Sequence, residues 1–211
     1  MSSSARQILF TIFLASLVYA VVRYHVFEAV PLADFPLYVF NKVLALSGFL
    51  LLIVVFGMGP ARAMGAGISD QWLDARKDLG IFAFLILLAH AVCSMLIFGT
   101  QAYYAQFYRD SGALSAIGGW SMLFGVLSFT WLWIYNISFK MPSSADKPLR
   151  ELVSAESTLI LVGLLAAGHV AVMGFNGWLR PGNWAGNMPP ISLVAFAAYL
   201  LGFVMRRLSR R

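Results

Sequence analysis

Residues 76 to 98 read RKDLGIFAFLILLAHAVCSMLIF, a charged edge followed by about twenty apolar residues. A helix of this length spans a bilayer. One imidazole, that of His90, interrupts the run near its middle. An ionisable side chain at such depth is costly to keep in lipid, so its presence indicates a functional site. The segment therefore predicts a membrane-spanning helix with His90 as a candidate ligand.

A second histidine lies well inside an apolar run, His169 in STLILVGLLAAGHVAVMGF. His90 lies eleven residues after Leu79 and His169 lies twelve after Ser157, so at about 1.5 Å per residue they reach nearly equal depth. Neutral imidazole is a common ligand of haem iron. Two facing histidines could hold a haem iron, and hydrogen bonds within the bundle would explain them equally well. The residues alone leave both alternatives open.

The composition indicates an integral membrane protein. Of 211 residues, 60% are hydrophobic and 11% are charged, whereas soluble domains carry about 25% charged residues. The formal net charge is +6, but the basic residues cluster at the ends of apolar runs, as membrane topology requires. We therefore expect a lipid bilayer and no nucleic acid as partner. The single cysteine, Cys93, excludes an intramolecular disulfide.

The apolar runs predict a single transmembrane domain over residues 1–211, an all-α bundle of six helices. The predicted spans are residues 7–24, 37–58, 79–98, 117–139, 157–175 and 191–205. Gly57, Gly59 and Pro60 predict the end of the second span, and Lys42 is expected to snorkel to the interface. His25, at the far end of the first span, is interpreted as an interfacial histidine rather than a ligand.

The distribution of basic residues predicts that both termini are cytoplasmic. The amino terminus, the second and fourth loops and the tail hold eleven basic residues, namely Arg6, Arg62, Arg76, Lys77, Lys140, Lys147, Arg150, Arg206, Arg207, Arg210 and Arg211. The opposite side holds three, Arg23, Arg109 and Arg180, or four if Lys42 snorkels. Under this topology, residues 100–116 and 176–189 form the outer loops.

Several residues recur in the order and spacing of a known family. They are Pro60 and Arg62, then Arg76, Lys77, Leu79, Gly80, Phe84 and His90, then Gly125, Ser128 and Phe129, and finally His169. Over residues 37–175 the chain resembles the ferric reductase-like transmembrane domain family. Within it, the chain is similar to the haem-binding membrane subunits of bacterial periplasmic methionine sulfoxide reductase systems.

The resemblance implies a b-type cytochrome of the bacterial inner membrane, with His90 and His169 as axial ligands. It implies electron transfer from quinol or a cytoplasmic flavin donor to a periplasmic acceptor. Basic residues, with Arg76 and Lys77 foremost, would pair with haem propionates or a flavin phosphate, so FMN is a candidate cofactor. These residues are Arg62, Arg76, Lys77, Lys140, Lys147 and Arg150.

One departure from the family limits the haem count. The family opens its fifth helix with Trp-x-x-Leu-His, and here those places hold Leu152, Ala155 and Glu156. The residues that a second haem would use are therefore missing, and we expect one haem.

The outer loops combine aromatic residues with single arginines, a mixture enriched at protein interfaces, and predict docking of a periplasmic redox partner. The residues are Tyr103, Tyr104, Phe107, Tyr108, Trp178 and Trp184, with Arg109 and Arg180. The alternative function is a non-haem membrane scaffold or transporter-like subunit of a larger complex. In that case the two histidines only hydrogen-bond within the bundle.

Overall fold

The computed structural model describes residues 1–98, 101–138 and 147–209, and most of these residues are helical. Lys140, Arg210 and Arg211 lie outside these ranges, as does the end of the fourth predicted span. The helices are α1 (Ser3–Val21), α2 (Phe40–Ala63), α3 (Asp70–Asp74), α4 (Arg76–Phe98), α5 (Gln101–Tyr104), α6 (Ala116–Ser138), α7 (Lys147–Ser154), α8 (Glu156–Trp178) and α9 (Ile191–Leu208). No β-strand occurs in the described ranges.

Six helices, α1, α2, α4, α6, α8 and α9, are long and apolar enough to cross a membrane. Their outward faces carry large apolar side chains, including Met95 at 74% exposure, Leu96 at 65% and Leu201 at 63%. Such a surface suits lipid, and helices satisfy their backbone hydrogen bonds without water. The predicted all-α architecture with six spans is confirmed, and the chain has the form of a multi-pass membrane protein.

The sequence predicted that the second span ends by Pro60, but the helix runs further. Helix α2 continues to Ala63 and is followed by Gly65 at φ +90°. Proline removes one N–H donor but keeps its carbonyl, and the Met64 N–H donates to the Pro60 carbonyl at 3.0 Å. The helix therefore runs one turn past the proline before the left-handed glycine turns the chain.

The spans pack in a closed circuit. Helix α2 contacts α4, α4 contacts α6, α6 contacts α8, and α9 contacts both α8 and α2, while α1 lies against α2. Helices α4 and α8, which carry His90 and His169, form no extended contact with each other among the described residues. They face each other across the circuit instead of lying side by side.

Glycines allow the closest approaches within this circuit. A β-carbon at Gly48 in α2 would lie 2.8 Å from the Leu87 side chain of α4, and one at Gly163 in α8 would lie 2.7 Å from the Tyr199 ring of α9. Small residues at such contacts let helix backbones approach in membranes, where van der Waals packing drives association.

The end of the first span is tied to the loop before α9. Arg23 is only 7% exposed, and its Nη1 donates to the carbonyls of Met188 at 2.6 Å and Ala185 at 3.4 Å. The Tyr19 hydroxyl donates to the Pro189 carbonyl at 2.7 Å. Arg23 therefore holds the end of the first span against this loop, besides being one of the basic residues counted for topology.

Two of the aromatic residues after α4 are buried in the protein. Tyr104 and Phe107 are 6% and 4% exposed and form one cluster with Ile97. Their side chains face the protein, so the prediction that Tyr104 and Phe107 belong to a docking surface is wrong. Arg109 and Arg180 are exposed.

The contact at Gly48 predicts a stability difference between two matched variants of α2. Replacing glycine by alanine inside a helix lowers the free energy of the helix by about 1 kcal/mol, and this gain is the same for Gly48→Ala and Gly57→Ala. Only Gly48→Ala drives a β-carbon against Leu87, since nothing lies within 4 Å of a β-carbon at Gly57. We expect Gly48→Ala to be less stable than Gly57→Ala by about 1–3 kcal/mol, the range for overpacking. Thermal unfolding in detergent measures this, and equal stability would contradict it.

Candidate functional site

His90 lies in the middle of α4 and is held by the start of α2. Its Nδ1 lies 2.6 Å from Oδ1 of Asn41. The Asn41 amide nitrogen donates to Oγ of Ser94 at 3.0 Å, and this second bond directs the amide oxygen toward the imidazole. Asn41 is 1% exposed. The His90 ring therefore has a fixed partner contributed by another helix.

His169 is held in the same way by α6. Its Nδ1 lies 2.8 Å from the backbone carbonyl oxygen of Ser121 and 3.1 Å from the Ser121 hydroxyl. Gly125, one turn further along α6, leaves room for the ring, since a β-carbon there would lie 2.9 Å from His169 Nδ1. Any larger residue at Gly125 would displace the imidazole.

These partners determine which ring nitrogen carries hydrogen. The Asn41 amide oxygen and the Ser121 carbonyl oxygen can only accept, so Nδ1 of each histidine is the donor. In a neutral imidazole, Nε2 then holds a free lone pair. Among the described residues, none forms a hydrogen bond with Nε2 of His90 or His169. A ring with its other N–H bonded to a carbonyl and with Nε2 free is the usual arrangement of a metal-ligating histidine.

The two imidazoles are close enough that a charge on His169 acts on His90. No group of three or more His, Cys, Asp or Glu that could hold a metal ion occurs in the described part of the chain. The donor set is therefore two imidazole nitrogens. Two nitrogens fit a metal that brings its own equatorial ligands, as haem iron does, better than they fit a bare ion.

An aromatic cluster joins α4 and α6 on the side of His90 nearer the start of α4. Phe84 of α4 stacks on Phe129 of α6 at a centroid distance of 5.6 Å, and Trp133 packs edge-on against both rings. Ser128 donates to the Val162 carbonyl of α8 at 3.0 Å. Residues 125, 128 and 129, singled out by their spacing, thus make the contacts that join α6 to α4 and α8.

No protein-family model matches this chain, and no curated protein matches it. The assignment of a site therefore depends on its own geometry.

Arg76 and Lys77 are not near the imidazoles. They begin α4, fourteen and thirteen residues before His90, which corresponds to about 20 Å of helix. The Arg76 Nε donates to the Val55 carbonyl at 3.0 Å, and Lys77 is exposed. The structure places His90 and His169 near each other and leaves Arg76 and Lys77 at the start of α4. Binding of a flavin phosphate by Arg76 and Lys77 stays a prediction.

His25 lies apart from this pair, in the π-helical segment Val22–Phe27 that follows α1. Its Nδ1 is 2.7 Å from the Val30 carbonyl and its ring lies 5.9 Å from that of Phe35. These contacts give His25 a local role in the turn between α1 and α2.

Sequence reasoning missed the three residues that orient the imidazoles, Asn41, Ser94 and Ser121. Asn41 offered a signal, because an amide inside an apolar run needs a partner in the bundle. Ser94 offered a weaker one, four residues after His90 on the same helix face. The Ser121 carbonyl offered none, because every residue has a backbone carbonyl.

We expect both histidines to be Nδ1–H tautomers in the metal-free protein. Nitrogen-15 NMR of histidine-labelled protein separates protonated from bare ring nitrogens, and His90→Gln and His169→Gln assign the signals. Asn41→Leu removes the acceptor for His90 only, so the His90 signals should become those of a tautomer mixture while the His169 signals stay unchanged. An Nε2–H tautomer for either residue in the wild type would contradict the prediction.

Proposed function

We propose that this protein is a membrane electron-transfer subunit that holds one b-type haem between His90 and His169. The observation that carries the proposal is that both membrane-embedded imidazoles donate through Nδ1 to fixed acceptors and keep Nε2 free. When bound, haem supplies one-electron oxidation and reduction. The resemblance to ferric reductase-like membrane domains supports the same proposal independently.

The residues of the chain have distinct tasks in this function. His90 and His169 bind the iron. Asn41 and the Ser121 carbonyl orient the two rings and strengthen the donation of each Nε2 by accepting the Nδ1 hydrogen. The stacked rings of Phe84 and Phe129 exclude water from the inner side of the site and leave an apolar surround, which tunes the reduction potential.

The direction of electron transfer follows from the proposed topology. Both termini are cytoplasmic, the membrane is the bacterial inner membrane, and the outer loops face the periplasm. Electrons enter from quinol or from a flavin donor at the cytoplasmic end, where Arg76 and Lys77 lie, and leave to a periplasmic acceptor near Arg109 and Arg180.

The haem assignment is tested by spectra and stoichiometry. Purified protein should show a Soret band that shifts on reduction and about one haem per chain in a pyridine haemochrome assay, since two axial ligands serve one iron. His90→Ala and His169→Ala should each abolish or severely change the reduced-minus-oxidised spectrum. His25→Ala is the matched control and should leave it unchanged.

Two results would count against this assignment. Unchanged spectra in both ligand variants would refute the ligation, and a colourless wild-type protein after expression with added haem precursor would favour the non-haem scaffold. A ratio near two haems per chain would instead mean that a further ligand exists.

The topology has its own test. Ala66 and Ala113 are exposed residues of the loops after α2 and before α6, and each can be changed to Cys in a Cys93→Ser background. In bacterial spheroplasts, an impermeant maleimide should label the Ala113→Cys variant directly and the Ala66→Cys variant only after permeabilisation, because the basic loops stay cytoplasmic. The reverse pattern would place the termini outside.

A further inference from the structure

Lys42 lies inside the bundle, close to the two imidazoles. It follows Asn41, the residue that holds His90, on α2. Its Nζ is 5.0 Å from the centroid of the Tyr38 ring and 5.2 Å from that of Tyr104. Tyr104 is buried. The ammonium thus lies between two aromatic faces on a partly exposed side chain, and the expectation that Lys42 snorkels to the interface stays a prediction.

No carboxylate pairs with this ammonium among the described residues, whose ion pairs all involve other cations. The nearby Asp34 carboxylate accepts a hydrogen bond from Tyr103 and raises the pKa of that phenol. Cation–π contacts stabilise Lys42 in part. A charge removed from water is nevertheless costly unless an opposite charge accompanies it. The described residues therefore leave the Lys42 ammonium without a paired anion.

The position of Lys42 relative to the histidines indicates where that anion belongs. Lys42 directly follows Asn41, whose amide oxygen lies 2.6 Å from His90 Nδ1, and its charge acts on both imidazoles. The basic residues at the start of α4 lie about 20 Å away along the helix. Lys42 is thus the nearer cation to any group held between the imidazoles.

We propose that Lys42 pairs with a carboxylate at the edge of the cofactor between His90 and His169, so that a haem propionate points toward Tyr38 and Tyr104. This inference rests on the proposed function and deepens it, because it fixes the orientation of the haem. It also replaces the expectation that the basic residues of the inner loops neutralise the propionates. The phosphate of a lipid headgroup is the other source of an anion, and the experiment separates the two.

The pairing has a measurable effect on the iron. Reduction adds one negative charge to the haem, and a nearby ammonium stabilises that charge. Lys42→Met keeps the length of the side chain and removes its charge. We expect it to shift the reduction equilibrium about tenfold toward the ferric form, which for one electron is a fall of about 59 mV in midpoint potential.

The first measurement is spectroelectrochemical titration of the full haem-loaded protein in nanodiscs. Lys42→Arg should retain a potential near that of the wild type, because it keeps the charge. Arg6→Met removes an exposed charge from α1 and is the matched control, so its potential should equal that of the wild type. A wild-type potential in Lys42→Met would overturn the inference.

The second measurement identifies the anion and does not depend on a potential. Haem-free wild type and Lys42→Met are each reconstituted with haem or with its dimethyl ester, which lacks both carboxylates. Esterification should weaken binding to the wild type about tenfold and leave binding to Lys42→Met nearly unchanged, the non-additivity expected of a direct pair. Equal losses in both proteins would overturn the pairing.

Two further outcomes are distinguishable. If esterification has no effect on wild-type binding while the potential changes between anionic and zwitterionic nanodiscs, the anion is a lipid phosphate and the inference fails alone. If wild-type protein takes up no haem, the proposed function fails and the inference fails with it. Should Lys42→Met not fold, esterification in the wild type and Lys42→Arg still test the pairing, because Lys42→Arg should keep the wild-type loss.

Discussion

Each imidazole in the bundle must find its hydrogen-bond partner within the protein, because the hydrocarbon core of a bilayer offers none. The structure meets this constraint by bringing a third and a fourth helix to the pair of histidine-bearing ones. Helix α2 supplies the Asn41 amide to His90, and α6 supplies the Ser121 carbonyl to His169. The order of packing, with α2 beside α4 and α6 beside α8, is therefore the same as the order of hydrogen bonding.

This constraint also explains why small and polar residues occur where they do. The small Gly125 leaves room for the His169 ring against α6. Asn41 can be buried because its amide donates to Ser94 and accepts from His90. The helices around the circuit leave α4 and α8 apart, so His90 and His169 are held by different neighbours, α2 and α6. The same architecture places the Lys42 ammonium between the Tyr38 and Tyr104 rings.

Much of the fold could be predicted from the sequence because hydropathy depends on composition over many residues. The six apolar runs are visible in this way, and so is the position of His90 and His169 deep within two of them. The sequence could not predict that α2 continues past Pro60. A proline near a helix end removes only one hydrogen bond, and whether the helix continues depends on bonds made by later residues, such as that from the Met64 N–H to the Pro60 carbonyl. The burial of Tyr104 and Phe107 depends on contacts across the chain, which a local aromatic pattern does not specify. The acceptor for His169 is a backbone atom, so no residue type could reveal it.

The hydrogen bonds between Arg23 and the loop before α9 have a consequence for biogenesis. The Arg23 guanidinium and its acceptor, the Met188 carbonyl, are separated by 165 residues in the chain. At synthesis rates of about 5–20 residues per second, roughly 8–33 s pass before the acceptor has been made. During that interval α1 is already in the membrane and can pack only against the helices that follow it directly. Helix α1 is therefore made well before its last contacts can form, and the ribosome must finish α9 before the bundle can close.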